Sequence, residues 1–543
     1  VIDLQGKLKI KGDIIMTKLS KKLLMSVLAI TITTGSFIGC GSKEAGEEIT
    51  KAEVAVETTE DNKYGGVIKA IDEAGPVTLF LPSSSTTGDR YYTAPAAEPL
   101  GRLQLDGTTK PFLAEEFITD PENLTFTIKV RPDVYFHDGS ICDAEAIKWN
   151  LEQMVEQGKA SELGNPVSVE APDSSTVVVK YDTWSNNWDT VIGEVAIISK
   201  EAFEKNGQEW CEVNIVGTGP FVFDSYVQDS SLKFKKNENY RIEGQPYLDS
   251  FEFVIVPDLN TRITAFLNGE VDTIRAMDAV VINNLKQAGF ENVAAESANL
   301  AEIKHVIFNS KDKEKPLGNL KVRQAVMHAM DWENLAKSLS GGIGSPSPLF
   351  ATPDSWAYNP EATYYEYDLE KSKALLAEAG YPDGFSTIIN TTSSFNDIAV
   401  ALQASLSKIG ITAEVKTWDK SALAEVQVKD NVEGFIVNRG GSQMDFTKNY
   451  IRLYSPEGIK NHGIMEFTQE YQDALFGARA AKTVDEKKVL LQKAAKVLVQ
   501  DNAMIYPVSV IYTQCFEQKD IRDLGFYQAS AYQYTPEAAY RAK

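Results

Sequence analysis

The chain of 543 residues has little of what most enzyme chemistry uses: four histidines and four cysteines. The cysteines, at 40, 142, 211 and 515, form no C-x-x-C pair and no zinc-finger spacing, so no metal site is legible in them. The histidines are scattered, and there is no H-E-x-x-H, no G-x-S-x-G and no phosphate-loop glycine pattern. A catalytic reading is left without a nucleophile or a metal cluster, and neither enzyme activity nor a cofactor is expected. Positive charge is also in deficit. Lys and Arg number 54 against 76 Asp and Glu, a net charge of −22, which is the wrong sign for the counterion replacement that nucleic-acid binding requires. With 43% hydrophobic and 24% charged residues the composition is that of a soluble globular protein, and the length predicts two or three domains.

A membrane-spanning run is lacking as well. The apolar stretch LLMSVLAITITTGSFIG, preceded by Lys18, Lys21 and Lys22, is short for a span of about 20 residues, but it has the length of a secretory h-region. Residues 1–39 are therefore expected to be a signal peptide starting at Met16, with Val1 to Ile15 as over-called upstream sequence or a very long n-region. Phe37-Ile38-Gly39-Cys40 is similar to a bacterial lipobox, with Phe37 where Leu is usual, which would make Cys40 the lipidated first residue of the mature chain. Cleavage there removes six lysines and two acidic residues, leaving 48 basic side chains against 74 acidic, a net of −26. Residues 40–63 are polar and acid-rich and read as a flexible tether. Of the three cysteines that remain, either all are buried free thiols or one disulfide forms.

What the chain does have is a dense stretch from Val216 to Asp272. Gly217 and Gly219 permit backbone angles or close approaches that a Cβ would block, and Pro220 fixes the following turn. Val254-Ile255-Val256, bounded by Pro257, reads as a buried strand, and Ile263, Phe266 and Leu267 at helical spacing are closed by Gly269. In order, GTGPF, NENY, Pro246 with Asp249, VPD, TR and Gly-Glu-Val-Asp resemble the extracellular solute-binding proteins of family 5, the binding lipoproteins of dipeptide, oligopeptide and nickel ABC importers. LTFTIKVRPDVYFHDGSICDAEAIKWNLEQM (124–154), VRQAVMHAMDWENL and EAGYPDGF extend the resemblance. In those segments Asp143 can cap a helix, Val322, Ala325, Val326 and Ala329 form a core face, and His137 and His328 read as structural.

The resemblance implies an α/β, two-lobed periplasmic-binding-protein-like fold of the cluster C type, with mixed sheets and an extra small inserted domain. The expected division is lobe 1 from residues 64–87, 197–300 and 506–543, the small domain from 88–196, and lobe 2 from 301–505. Strands near Ala301 and within AMIYPVSVIY would be the two crossings of a hinge. The implied function is capture of a peptide or peptide-like solute between the lobes and its delivery to ABC transporter permease subunits by a monomer held to the membrane through its lipid anchor. A peptide-sensing receptor lipoprotein is the alternative, ahead of a nickel-chelate binder or a secreted hydrolase; neighbouring permease genes or a sensor-kinase gene would separate import from signalling.

Candidate ligand residues follow from loops at strand ends. The apolar run Thr78-Leu79-Phe80-Leu81 reads as a strand leading into a Ser/Thr/Gly-rich loop that carries Tyr91 and Tyr92, and Trp184 lies in a polar stretch that approaches the cleft in relatives. Arg439-Gly440-Gly441-Ser442-Gln443-Met444-Asp445 follows a strand, where an open α/β sheet has its crevice. Peptide-binding relatives place an acidic residue at the position of Ser442 to pair the ligand's α-ammonium group, while nickel-type relatives carry an aromatic residue at Gly441. Arg439 could pair a ligand carboxylate and Asp445 an ammonium, and both could equally be solvated loop charges.

Overall fold

The computed structural model describes residues 63–84, 87–294, 301–344, 347, 351, 355–363, 365–419, 422–423, 432–441, 446–456, 458, 463–525 and 534–543. The expected signal peptide, Cys40 and the expected tether up to residue 62 lie outside the described residues. Three sheets of four or more strands organise the described residues. The first has six strands, ordered Gln514–Glu517, Thr273–Ala276, Val67–Asp72, Ser250–Ile255, Ser231–Lys236 and Phe221–Val227. Its centre is parallel: Val67–Asp72 pairs in register with Ser250–Ile255 on one side and with Thr273–Ala276 on the other, while the flanking strands run antiparallel. Phe251, Phe253 and Ile255 alternate inward on their strand, the pattern of a half-buried sheet. The following helix, Leu259–Leu267, is capped by Asp258, whose carboxylate accepts from the Thr261 amide at 2.7 Å. It ends at Gly269 with φ +73°, the left-handed residue a helix exit favours.

The second sheet is antiparallel, ordered Ala114–Asp120, Thr125–Val130, Thr176–Lys180 and Ser168–Asp173. The helix Ala144–Glu156 lies across it with Ile147, Leu151 and Met154 buried, and Asp143 is the cap that the sequence predicts. The third sheet is mixed, ordered Thr412–Trp418, Ser386–Thr392, Phe435–Gly441, Ala301–Phe308 and Ile505–Tyr512. Its first three strands are parallel, and Ala301–Phe308 runs antiparallel to both of its neighbours. Pro507 lies in the edge strand beside a bulge, where a missing N–H is tolerated. The helix Leu320–Ala329 buries the predicted face of Val322, Ala325, Val326 and Ala329 in the core of this sheet.

Among the described residues, the ends of two connections between the six-stranded and five-stranded sheets lie side by side. Ala301 pairs with Tyr512, the Val293 amide donates to the Cys515 carbonyl at 2.9 Å, and the Cys515 amide donates to Asn292 at 3.0 Å.

The expected strand at Thr78–Leu81 does not form, and this is a correction. Leu79 and Phe80 are fully buried plugs in the core of the six-stranded sheet, Phe80 stacks on Phe203 at 5.3 Å, and Pro82 lies in a 3-10 turn, Leu81–Ser83. The run contributes apolar volume without joining a ladder. Tyr91 and Tyr92, expected on a loop, sit on the helix Thr87–Thr93. Cys142, Cys211 and Cys515 are buried and free, so of the two cysteine readings the free thiols stand for these three.

Candidate functional site

The five-stranded sheet sets the geometry. Ser386–Thr392 and Phe435–Gly441 run parallel, and the crevice of such a sheet lies beyond their carboxyl ends. Arg439 lies at that end. Its side chain is 57% exposed, and its guanidinium is ion-paired with Glu302, which is largely buried at the start of the neighbouring strand. Register explains the pairing: Glu302 sits opposite Gly441, and Lys304 sits opposite Arg439. Two strands away at the same end of the sheet, the Trp418 indole N–H donates to the Asn390 side-chain oxygen at 3.0 Å. The Asn390 amide in turn donates to the carbonyls of Glu433 and Phe435, so the ring is held through a buried polar residue. The ammonium of Lys416 lies 3.9 Å from the Trp418 ring centroid.

Beneath Arg439 the strand rests on buried aromatics. A Cβ at Gly440 would come within 2.7 Å of the Tyr454 hydroxyl, so this position requires glycine for close approach. Tyr471 donates to the Tyr454 carbonyl at 2.6 Å, and His305 packs edge-on against Tyr454 with Nδ1 3.4 Å from its hydroxyl. Burial holds the Tyr454 and Tyr471 hydroxyls well above their usual range, so both stay neutral supports for the strand end. Ser442 and Asp445 lie outside the described residues. The helix Phe446–Tyr454 begins directly after them.

The three aromatic candidates occupy other places. Tyr91 and Tyr92 are 1% and 5% exposed, meet edge-on at 5.1 Å, and both pack on Phe253. Their rings fill the core of the six-stranded sheet; Tyr92 donates to the Ala74 carbonyl, and the Arg275 guanidinium lies 4.2 Å from the Tyr91 ring. Trp184 donates its indole N–H to the Ala480 carbonyl at 3.0 Å and meets Trp188 edge-on at 4.8 Å. The structure therefore brings Tyr91 and Tyr92 together inside a core, carries Trp184 to a helix end, and leaves Arg439 exposed at the crevice.

Sequence reasoning missed Glu302 and a second charged cluster. Glu98 is 2% exposed and accepts from Arg241, Tyr240 at 2.8 Å and Thr218 at 2.8 Å. Burial opposes the Arg241 charge, but Glu98, with Tyr240 and Glu537, outweighs it and the guanidinium is held above its usual range. Burial, reinforced by Glu98, pushes the Tyr240 hydroxyl far up. Arg102 pairs with Glu537 at 2.7 Å, and the Arg102 and Arg241 guanidiniums lie 3.5 and 4.6 Å from the Phe112 ring centroid. The motif residues Thr218, Tyr240 and Arg241 thus converge on one buried carboxylate. No local pattern identifies that carboxylate, which lies 120 or more residues away in sequence.

A cavity of about 530 Å³ opens at the opposite end of the five-stranded sheet, between Asn309, Lys311, Lys315, Thr387 and Glu433. It adjoins the amino ends of the parallel strands, so the crevice at Arg439 is the better-placed site despite this cavity's volume.

The family model of the bacterial extracellular solute-binding proteins, family 5 Middle, matches residues 108–461. Heme-binding protein A of Haemophilus influenzae is 26% identical over 435 residues, 74% of this chain and 78% of that protein. The glutathione-binding protein GsiB of Escherichia coli K12 is 29% identical over 423 residues, 74% and 80% of the two chains. Among solved structures, the periplasmic binding protein DppA of Helicobacter pylori in complex with the peptide STSA superposes with a TM-score of 0.72 at 23% identity, covering 89% of this chain and 99% of that one. That likeness carries the fold alone.

Proposed function

The chain belongs to the bacterial extracellular solute-binding proteins of family 5, and from that premise we propose that its solute is a peptide or peptide-like molecule carrying a free carboxylate, gripped at Arg439. Its role is extracytoplasmic solute binding for import. The observation that carries the proposal is the placement of Arg439: an exposed guanidinium at the carboxyl end of a parallel strand, steadied by one carboxylate. A bound carboxylate can displace Glu302 or share the guanidinium, which has donors enough for both. Ser442 and Asp445, three and six residues on, supply the partner for the ammonium end. The lobes close over the solute, and closure is driven by the solute's greater affinity for the closed form. The closed form is handed to ABC permease subunits by a monomer that is secreted through residues 1–39 and tethered by a lipid on Cys40.

Isothermal titration with di- to pentapeptides tests the reading. Arg439→Ala should weaken binding of free-acid peptides at least tenfold and leave C-terminally amidated peptides unchanged. Equal affinity of the variant and the native chain for free-acid peptides would remove Arg439 from the site.

A further inference from the structure

The loop 184–186 of the small antiparallel unit ends on a helix of the five-stranded unit. The helix Gln469–Ala480 closes without a left-handed residue: its C-cap, Ala481, has φ −59° and ψ 140°. Its last carbonyls therefore need donors from elsewhere. The donors come from the other unit. The Trp184 indole N–H reaches Ala480 at 3.0 Å, the Asn186 amide N–H reaches Arg479 at 3.0 Å, and the Asn186 side-chain amide reaches Ala478 at 2.8 Å and Ala481 at 3.0 Å. Trp184 is itself braced: it stands edge-on to Trp188, which is buried and stacked on Tyr181 at 4.3 Å.

A second contact links the same two units. Leu103 of the hairpin Gly101–Leu103/Thr109–Pro111 is buried in the core of the five-stranded unit. At the hairpin turn, a Cβ on Gly107 would come within 2.7 Å of the Trp356 indole nitrogen. Trp356 meets Phe446 edge-on at 6.0 Å, and Phe446 is the residue directly after Asp445.

We propose that Trp184 and Asn186 form a latch: the small unit docks on the end of Gln469–Ala480 when the lobes close, and this docking sets the ratio of closed to open protein. The inference rests on the two-lobed reading of the chain and not on the identity of the solute. The small unit is fastened to the six-stranded unit through Arg241, Glu98 and Phe112, so it travels with that unit, whereas Gln469–Ala480 packs in the core of the five-stranded sheet. Hydrogen bonds to carbonyls that water solvates on opening are individually of modest net value, which suits a contact that must release. Trp184 and Asn186 are therefore positioning residues that act on affinity without touching the solute.

Small-angle X-ray scattering of the full chain, unfolded and refolded to strip carried-over solute, tests this without any ligand. Asn186→Ala and Trp184→Phe should each shift the open-to-closed ratio toward open by about five- to tenfold, the effect of losing about one net hydrogen bond, and the double variant should shift it further. The shift is read as a larger radius of gyration, with circular dichroism and melting unchanged. Asn186→Gln, which keeps the amide, should recover part of the native profile. Trp184→Phe keeps the ring, so it remains a folded test if the alanine variant is not. A native profile as expanded as that of the double variant, or a folded double variant with the native profile, would overturn the latch. Loss of peptide binding in Arg439→Ala concerns the solute alone and leaves this result untouched.

Discussion

Arg241 lies 2.9 Å from Glu98, both are largely or wholly withdrawn from water, and each belongs to a different part of the chain. The pair joins the NENY segment to the residues that lead into the small unit, and Thr218 of the GTGPF turn and Tyr240 donate to the same carboxylate. The residues by which the sequence is most readily placed in its family thus form a structural fastening on one buried carboxylate.

Removing the carboxylate should be worse than replacing it. Glu98→Ala leaves the Arg241 guanidinium and the Tyr240 hydroxyl buried without their acceptor, and should cost about 3–5 kcal/mol of stability. Glu98→Gln, which keeps an acceptor, should cost clearly less. Chemical denaturation of both variants checks the order; equal losses would argue that the site matters through shape alone.

The GTGPF turn is constrained by space. A Cβ on Gly217 would sit 2.0 Å from the Ala96 carbonyl oxygen, and one on Gly219 would sit 2.6 Å from that of Pro95. Gly217→Ala should destabilise by about 1–3 kcal/mol or more, because backbone on both sides must move. Gly269→Ala acts differently: nothing lies near its Cβ, and the φ of +73° alone is strained, so a loss of about 1 kcal/mol is expected. Comparing the two by denaturation separates close approach from backbone conformation.

This contrast also marks what was legible. Gly269, the Asp143 cap and the core face from Val322 to Ala329 are local features, and periodicity or a cap residue suffices to place them. So are the strands that Val254-Ile255 and Ala301 mark, Ser250–Ile255 and Ala301–Phe308. At Thr78–Leu81, apolarity and length could not tell a strand from a plug, because a hydrophobic run with a proline satisfies both until its hydrogen-bond partners are known. The elements of the candidate site divide in the same way. Arg439 follows from strand order, whereas Glu302 depends on a register between strands well over a hundred residues apart.

The buried thiols make a countable prediction. Burial pushes Cys211 up to about 11 and holds Cys142 and Cys515 well above the usual thiol range. The folded chain at pH 8 should show none of these three reacting with a thiol-specific disulfide reagent, and three more thiols should appear on unfolding in guanidinium. Only two newly reactive thiols or fewer would mean that one is oxidised or exposed.

Stability should fall as pH rises from about 4.5 to about 7. Burial pushes the Glu517 carboxyl up to about 7, with Arg522 opposing the shift. Because the folded value lies above the unfolded one, the folded protein holds a proton that the unfolded chain has lost between about pH 4.5 and 7. The contribution is neutral below that window, becomes destabilising across it, and is constant above it. Glu517→Gln should therefore stabilise the chain by about 1–3 kcal/mol at pH 8 and by nothing measurable at pH 4. Denaturation curves at the two pH values check the sign; a gain at pH 4 alone would reverse it.

Native mass spectrometry of the chain purified without denaturation tests solute capture most directly. The account predicts one peptide-sized solute per chain, lost on unfolding, and a raised melting midpoint when free-acid peptides are added back. A bare protein mass, together with no thermal shift across di- to pentapeptides, would contradict it.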